Sequence, residues 1–129
     1  MTTGVVTTSE IRARFARPLM VLLRVLAGVQ VVVGIGFWSG HWFGLRSFHM
    51  MIGSLFVLSL WAIAGIAISG RQATKLAIFA ILWGAVIAGF GAMQQGILIG
   101  DLHWIVRVTH LVIAMAAMPV AERLVRSAA

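Results

Sequence analysis

Four apolar stretches, roughly Leu19–Trp38, Ser47–Ser69, Leu76–Leu98 and Trp104–Ala121, take up most of this 129-residue chain. Each is close to the ~20 residues that a helix needs to cross the hydrocarbon of a bilayer. Hydrocarbon offers no hydrogen bonds, so each stretch must satisfy its own backbone, and helix is the form that does so within one segment. A mean hydropathy of +1.05, with 61% apolar and only 10% charged residues, makes the bilayer the natural solvent. The expected fold class is therefore an all-α membrane protein, an up-and-down bundle of four transmembrane helices. Its expected parts are a cytoplasmic N-terminal segment 1–18, a transmembrane domain 19–121 and a cytoplasmic tail 122–129.

Charge sets the expected direction. Arg12, Arg14, Arg17, Arg71, Lys75, Arg123 and Arg126 fall on one side of the four stretches. The opposite side carries only Arg46 and Arg107, while Arg24 lies in the first stretch near its basic end. The bias of Lys and Arg toward the cytoplasm places both termini and the middle loop there. Trp38, Trp42 and Trp104 fall at the opposite interface, where indole rings prefer to lie. The pI near 12 comes from ten basic against three acidic residues at segment ends, a pattern of membrane orientation with no nucleic acid among the expected partners. The first apolar stretch is too long for a signal peptide and lacks a small-residue cleavage site, so it reads as a retained span. Cysteine is absent, which excludes disulfides, thiolate-bound iron–sulfur clusters and thioether-linked haem.

Two segments echo each other. "RSFHMMIG" at 46–53 and "RVTHLVIA" at 107–114 each place an arginine three residues before a histidine, then an apolar run. Aligning His49 with His110 also aligns Arg46 with Arg107 and Gly28 with Gly89, and one gap brings "HW" at 41–42 onto "HW" at 103–104. The pattern suggests a two-hairpin internal repeat. In an up-and-down bundle the second and fourth helices run in the same direction and lie diagonally opposite. His49 and His110 then sit at similar depth and can face one another. His103, Arg107 and His110 share one helical face by their spacing of four and three. Such a polar stripe is costly in lipid unless it faces the interior or a wet cavity.

A flat ligand with two axial sites and two anionic arms fits this set. A b-type haem takes two neutral imidazoles on its iron, and its propionates need cationic partners near the interface. His49 and His110 are the candidate metal ligands, and Arg46 and Arg107 the candidate cofactor-binding partners of the propionates. The bland alternatives are that both arginines are interfacial anchors and that the histidines are interface residues copied by a duplication. Copper or zinc held by His41, His49, His103 and His110 is a further alternative, short of carboxylate or thiolate ligands apart from Asp101. Gln30, Gln94 and Gln95 could bond a quinone or a haem edge, with bonds between helices as the plainer role. Ser54 and Thr109 can bond back to their own helices. Asp101 is expected to pair with a nearby histidine or cap the fourth helix. Small residues recur every four positions in the third stretch, at Ala80, Gly84, Ala88, Ala92, Gly96 and Gly100, and at Gly36, Gly40 and Gly44 around the first loop. Such stripes let helices approach closely.

"LAGVQVVVGIGFWSGHW", "FHMMIG" and "LHWIVRVTHLVIAM" resemble parts of one four-helix half of the heme A synthases, and the plan also resembles small four-span bacterial membrane proteins. The resemblance covers most of the chain. It implies a bacterial inner-membrane, multi-pass protein with haem-ligand positions at His49 and His110. One departure matters: the synthase pattern has a glutamate one turn before the second-helix histidine, where this chain has Leu45 and Arg46. Synthase chemistry is therefore not implied, and cofactor holding is. The expected function is electron transport by a small membrane cytochrome b, with lipid around it and other redox subunits or a quinone as partners. It is expected to act as an electron-transfer subunit more than as an autonomous enzyme. A cofactor-free structural or assembly subunit is the competing reading. A transporter or channel is disfavoured by the almost wholly apolar basic halves of the spans.

Overall fold

The computed structural model describes residues 7–71 and 73–128. Residues 1–6 of the expected N-terminal segment, Gln72 of the middle loop and Ala129 lie outside them. Helix α1 runs Thr8–Trp38, α2 Arg46–Ser69, α3 Thr74–Met93, α4 His103–Met115 and α5 Ala117–Ala128, with single 3₁₀ turns at Phe43–Leu45 and Gln94–Gly96. No strand occurs among the described residues. Four helical spans are long and apolar enough to cross a membrane, because α4 and α5 together form the fourth. The chain is a multi-pass, all-helical membrane protein.

Helix α1 begins well before its apolar run. Thr7 and Glu10 form a reciprocal cap, with the Glu10 N–H donating to Thr7 Oγ1 at 3.3 Å and the Thr7 N–H to Glu10 Oε2 at 2.8 Å. Pro18 thus lies inside the helix rather than before it. It lies at the polar end, where water can satisfy the carbonyl that its missing N–H would have bonded. At the same end the Arg12 guanidinium rests against Gly70, where a Cβ would come within 3.1 Å of it. That places a cation at the carbonyl end of α2, a favourable pairing with the helix dipole.

The fourth span is broken at Ala116. Pro119 has no N–H to donate to the Met115 carbonyl, and its ring crowds that turn. The side chain of Trp83 supplies a donor beside the break, its Nε1 bonding the Ile113 carbonyl at 2.9 Å. The proline signal was in the sequence, but a single continuous span was expected there.

Below the break the bundle is closed. Leu23 of α1, Leu60 and Ile63 of α2 and Leu124 of α5 are fully buried, surrounded by Ala64, Ala67, Ala77, Ala80, Ala117 and Ala121. Helix α1 packs on α2 and α5, α3 packs on α2 and α5, and α2 meets α5 across the diagonal. Alanines on both diagonal partners permit that approach, since in lipid close packing rather than water exclusion holds helices together. Above the break α4 packs on α3 and makes no extensive contact with α1 or α2.

The small-residue stripes are used only in part. Ala80 and Gly84 are buried, and Trp61 lies over Gly84 while donating its Nε1–H to the Ile81 carbonyl at 3.0 Å. Ala88, Ala92 and Gly96 are exposed. Gly36 is buried beneath the Trp42 ring, whereas Gly40 serves a turn with φ of 80° and Gly44 is exposed. The interval of four was right as a pattern, but only its part at the closed end meets another helix.

Candidate functional site

The site residues lie at the open end. On α2, His49, Gly53, Phe56 and Leu60 form one stripe at helical spacing, and Phe56 and Leu60 are buried in the core. The same stripe carries His49 toward the interior, where its Nδ1 is fully buried and has no hydrogen-bond partner. Its ring meets Phe37 of α1 edge-on, with centroids 5.2 Å apart.

On α4, Val106 is nearly fully buried and shares a face with His110 one turn on. His110 Nδ1 is likewise buried and unpartnered. Its ring stacks on Phe90 of α3 at 6.0 Å and passes close to Gly91, where a Cβ would lie 3.0 Å from the ring. Each histidine therefore packs against a phenylalanine from the preceding helix of its own hairpin.

Neither ring has its polar needs met by the protein. A buried, unsatisfied nitrogen costs about 1–3 kcal/mol, and two such costs, one on α2 and one on α4, call for a ligand or an added donor or acceptor. The same patch holds a third unpartnered buried atom, Gln30 Oε1. Gln30 comes from the α1 stripe Leu23, Leu26, Gln30, Val33 and Phe37, and its Nε2 donates to the His49 carbonyl at 3.0 Å. The expected interhelical role of Gln30 is thus realised on one of its two polar atoms. Gln94 and Gln95 sit in the second 3₁₀ turn and make no bond between helices among the described residues.

Arg46 opens α2 and Arg107 lies one turn before His110 on α4; both are exposed. Among the described residues neither has a carboxylate partner, the sole ion pair being Arg24 to Glu122 at 2.9 Å. They are therefore free to meet anions at the rim of the open end.

His41 and His103 are engaged elsewhere. His41 is exposed, with Nδ1 3.3 Å from Ser39 Oγ. His103 Nδ1 lies 3.1 Å from the Ile97 carbonyl and reads as its donor. No three potential ligands among His, Cys, Asp and Glu come together among the described residues, so the four-histidine copper or zinc alternative has no cluster to rest on. Two axial imidazoles on a cofactor need no such cluster. Asp101 is exposed and forms neither expected contact: no side chain caps α4, and no histidine pairs with it. Ser54 does bond back, its hydroxyl donating to the Met50 carbonyl at 3.0 Å.

The residues fit a haem by donor set and surroundings. There are two half-buried imidazoles whose buried Nδ1 atoms lack partners, aromatic and aliphatic side chains around them, and two guanidinium groups without carboxylate partners among the described residues. Comparison with family models, with curated proteins and with solved structures finds no match to this chain.

Proposed function

We propose that this protein is a small b-type membrane cytochrome that passes electrons, with haem held between α2 and α4 by His49 and His110. The observation that carries this reading is the pair of buried, unpartnered imidazole nitrogens, one on α2 and one on α4, at the end where α4 packs on α3 and makes no extensive contact with α1 or α2. When bound there, a haem supplies one-electron redox chemistry. His49 and His110 would hold the iron as neutral imidazoles, a ligand pair that favours electron transfer over oxygen chemistry. Arg46 and Arg107 would receive the propionates by charge-assisted hydrogen bonds. Phe37, Phe90 and Val106 exclude water around the rings.

The distribution of arginine and lysine supports both termini in the cytoplasm and this site near the outer face, and the resemblance to bacterial four-span proteins points to a bacterial inner membrane. One site at one face gives no electron path across the bilayer within this chain. The partner is then a quinone or a redox subunit at the outer side. The test is a pyridine haemochrome assay and a reduced-minus-oxidised spectrum of purified protein expressed with haem supplied. Low-spin b-type bands are the expected result, and their absence overturns the reading.

A second reading rests on the exposed small-residue flank of α3. Ala85, Ala88, Ala92 and Gly96 face outward and would allow another membrane helix to approach closely, as in a structural or assembly subunit. A colourless protein that co-purifies with a larger membrane complex is the outcome that favours it.

A further inference from the structure

The three unpartnered buried polar atoms, Gln30 Oε1, His49 Nδ1 and His110 Nδ1, are chemically complementary. An amide oxygen only accepts. An imidazole whose Nε2 is engaged by a metal must carry its proton on Nδ1, which makes that atom a donor. The orientation of Gln30 follows from its neighbour: the His49 carbonyl can only accept, so the amide nitrogen must face it, as it does at 3.0 Å. The amide oxygen is left over, buried beside the same residue.

Gly53 makes this approach possible. A Cβ there would come within 2.6 Å of Gln30 Nε2, so any larger residue would push the amide away from His49. Nothing comparable serves His110, whose ring instead passes over Gly91 and stacks on Phe90. The two histidines are thus inequivalent, one with an amide beside it and one held by packing.

We propose that Gln30 is a positioning residue for His49: Gln30 Oε1 and His49 Nδ1 are unbonded in the structure, and when a cofactor engages Nε2 the amide oxygen accepts the Nδ1–H and fixes the tautomer that presents Nε2. The proposal rests on the haem reading above. A hydrogen bond at the far nitrogen orients a ligating imidazole and raises its basicity. A more basic ligand stabilises the ferric over the ferrous state.

The test is a potentiometric titration of haem-loaded protein, with low-spin electron paramagnetic resonance of the ferric form. Gln30→Leu removes the acceptor and should weaken the ferric preference about threefold, an upward midpoint shift of ~30 mV from the 59 mV per tenfold of a one-electron couple. Gln30→Glu offers a stronger acceptor and should shift the midpoint downward and narrow the spread of g values. A carboxylate lowers the potential by its charge alone, so the resonance change is the decisive part of that variant. Should Gln30→Leu fail to accumulate, Gly53→Ala displaces the amide while keeping its side chain, and should raise the midpoint in the same way. Haem-loaded variants whose midpoint and g values match the wild type overturn the role of Gln30 and leave the cytochrome reading intact. A wild-type protein with no low-spin haem overturns both.

Discussion

The two ends of this bundle are both built on apolar helices and yet pack differently. At the basic end, leucine and alanine from α1, α2, α3 and α5 close on one another across both the sides and the diagonal. At the histidine end, α4 leans on α3 and the second 3₁₀ turn, and among the described residues three polar side-chain atoms are buried without partners. The boundary between the two regimes is the break before Pro119. Close packing and unmet polar groups are thus separated along the bundle axis. One end holds the helices together, and the other is left with unmet polar groups that a ligand can satisfy.

The largest expected effect is at the open end. His49→Ala or His110→Ala should abolish the low-spin haem spectrum, while His41→Ala and His103→Ala should leave it in place. Bis-imidazole spectra that survive both inner variants would remove the assignment of these ligands. Next comes the closed end. Leu60→Ala, at a fully buried position, should destabilise the bundle toward the lower part of the ~2–5 kcal/mol range of buried leucine truncations, since lipid reduces the transfer contribution. Met51→Ala, at an exposed position on the same helix, should change detergent unfolding by less than ~0.5 kcal/mol. Equal costs for the two would mean that the helix has no inward face.

Arg46→Leu is expected to have an intermediate effect, raising the midpoint potential or loosening the haem, because a propionate loses its countercharge. An unchanged midpoint and occupancy would reduce Arg46 to an interfacial anchor. The smallest effect belongs to the Arg24–Glu122 pair, whose side chains are 57% and 36% exposed. A double-mutant cycle there should return no more than ~1 kcal/mol, falling with added salt. A larger coupling would show that the closed end depends on this ion pair as well as on its packing.

Much of the site was legible from spacing. His103, Arg107 and His110 were read as one face from intervals of four and three, and α4 is helical across all three, with Arg107 exposed. Gln30 was recognised only as a general candidate, because its bond to the His49 carbonyl joins residues from two helices and leaves no trace in local pattern. Gly53 gave no signal at all as a single glycine in an apolar run. Its role becomes visible only once Gln30 is seen to reach across it. The small-residue stripe of the third span was over-read. Its interval repeats along the whole helix, but Ala88, Ala92 and Gly96 are exposed, and α4 packs on α3 at Phe90 and Gly91 instead.

The amino-acid sequence alone determined that this chain is helical and crosses a membrane four times, because backbone hydrogen bonding in hydrocarbon is a local demand that each apolar stretch must meet by itself. It also determined which end is basic and which end bears histidine. Only the tertiary structure decided which faces turn inward, where the bundle closes and which polar atoms are left unpaired. In lipid every side of a span can be apolar, so hydrophobicity does not separate an inward face from an outward one. Shape and close packing make that choice.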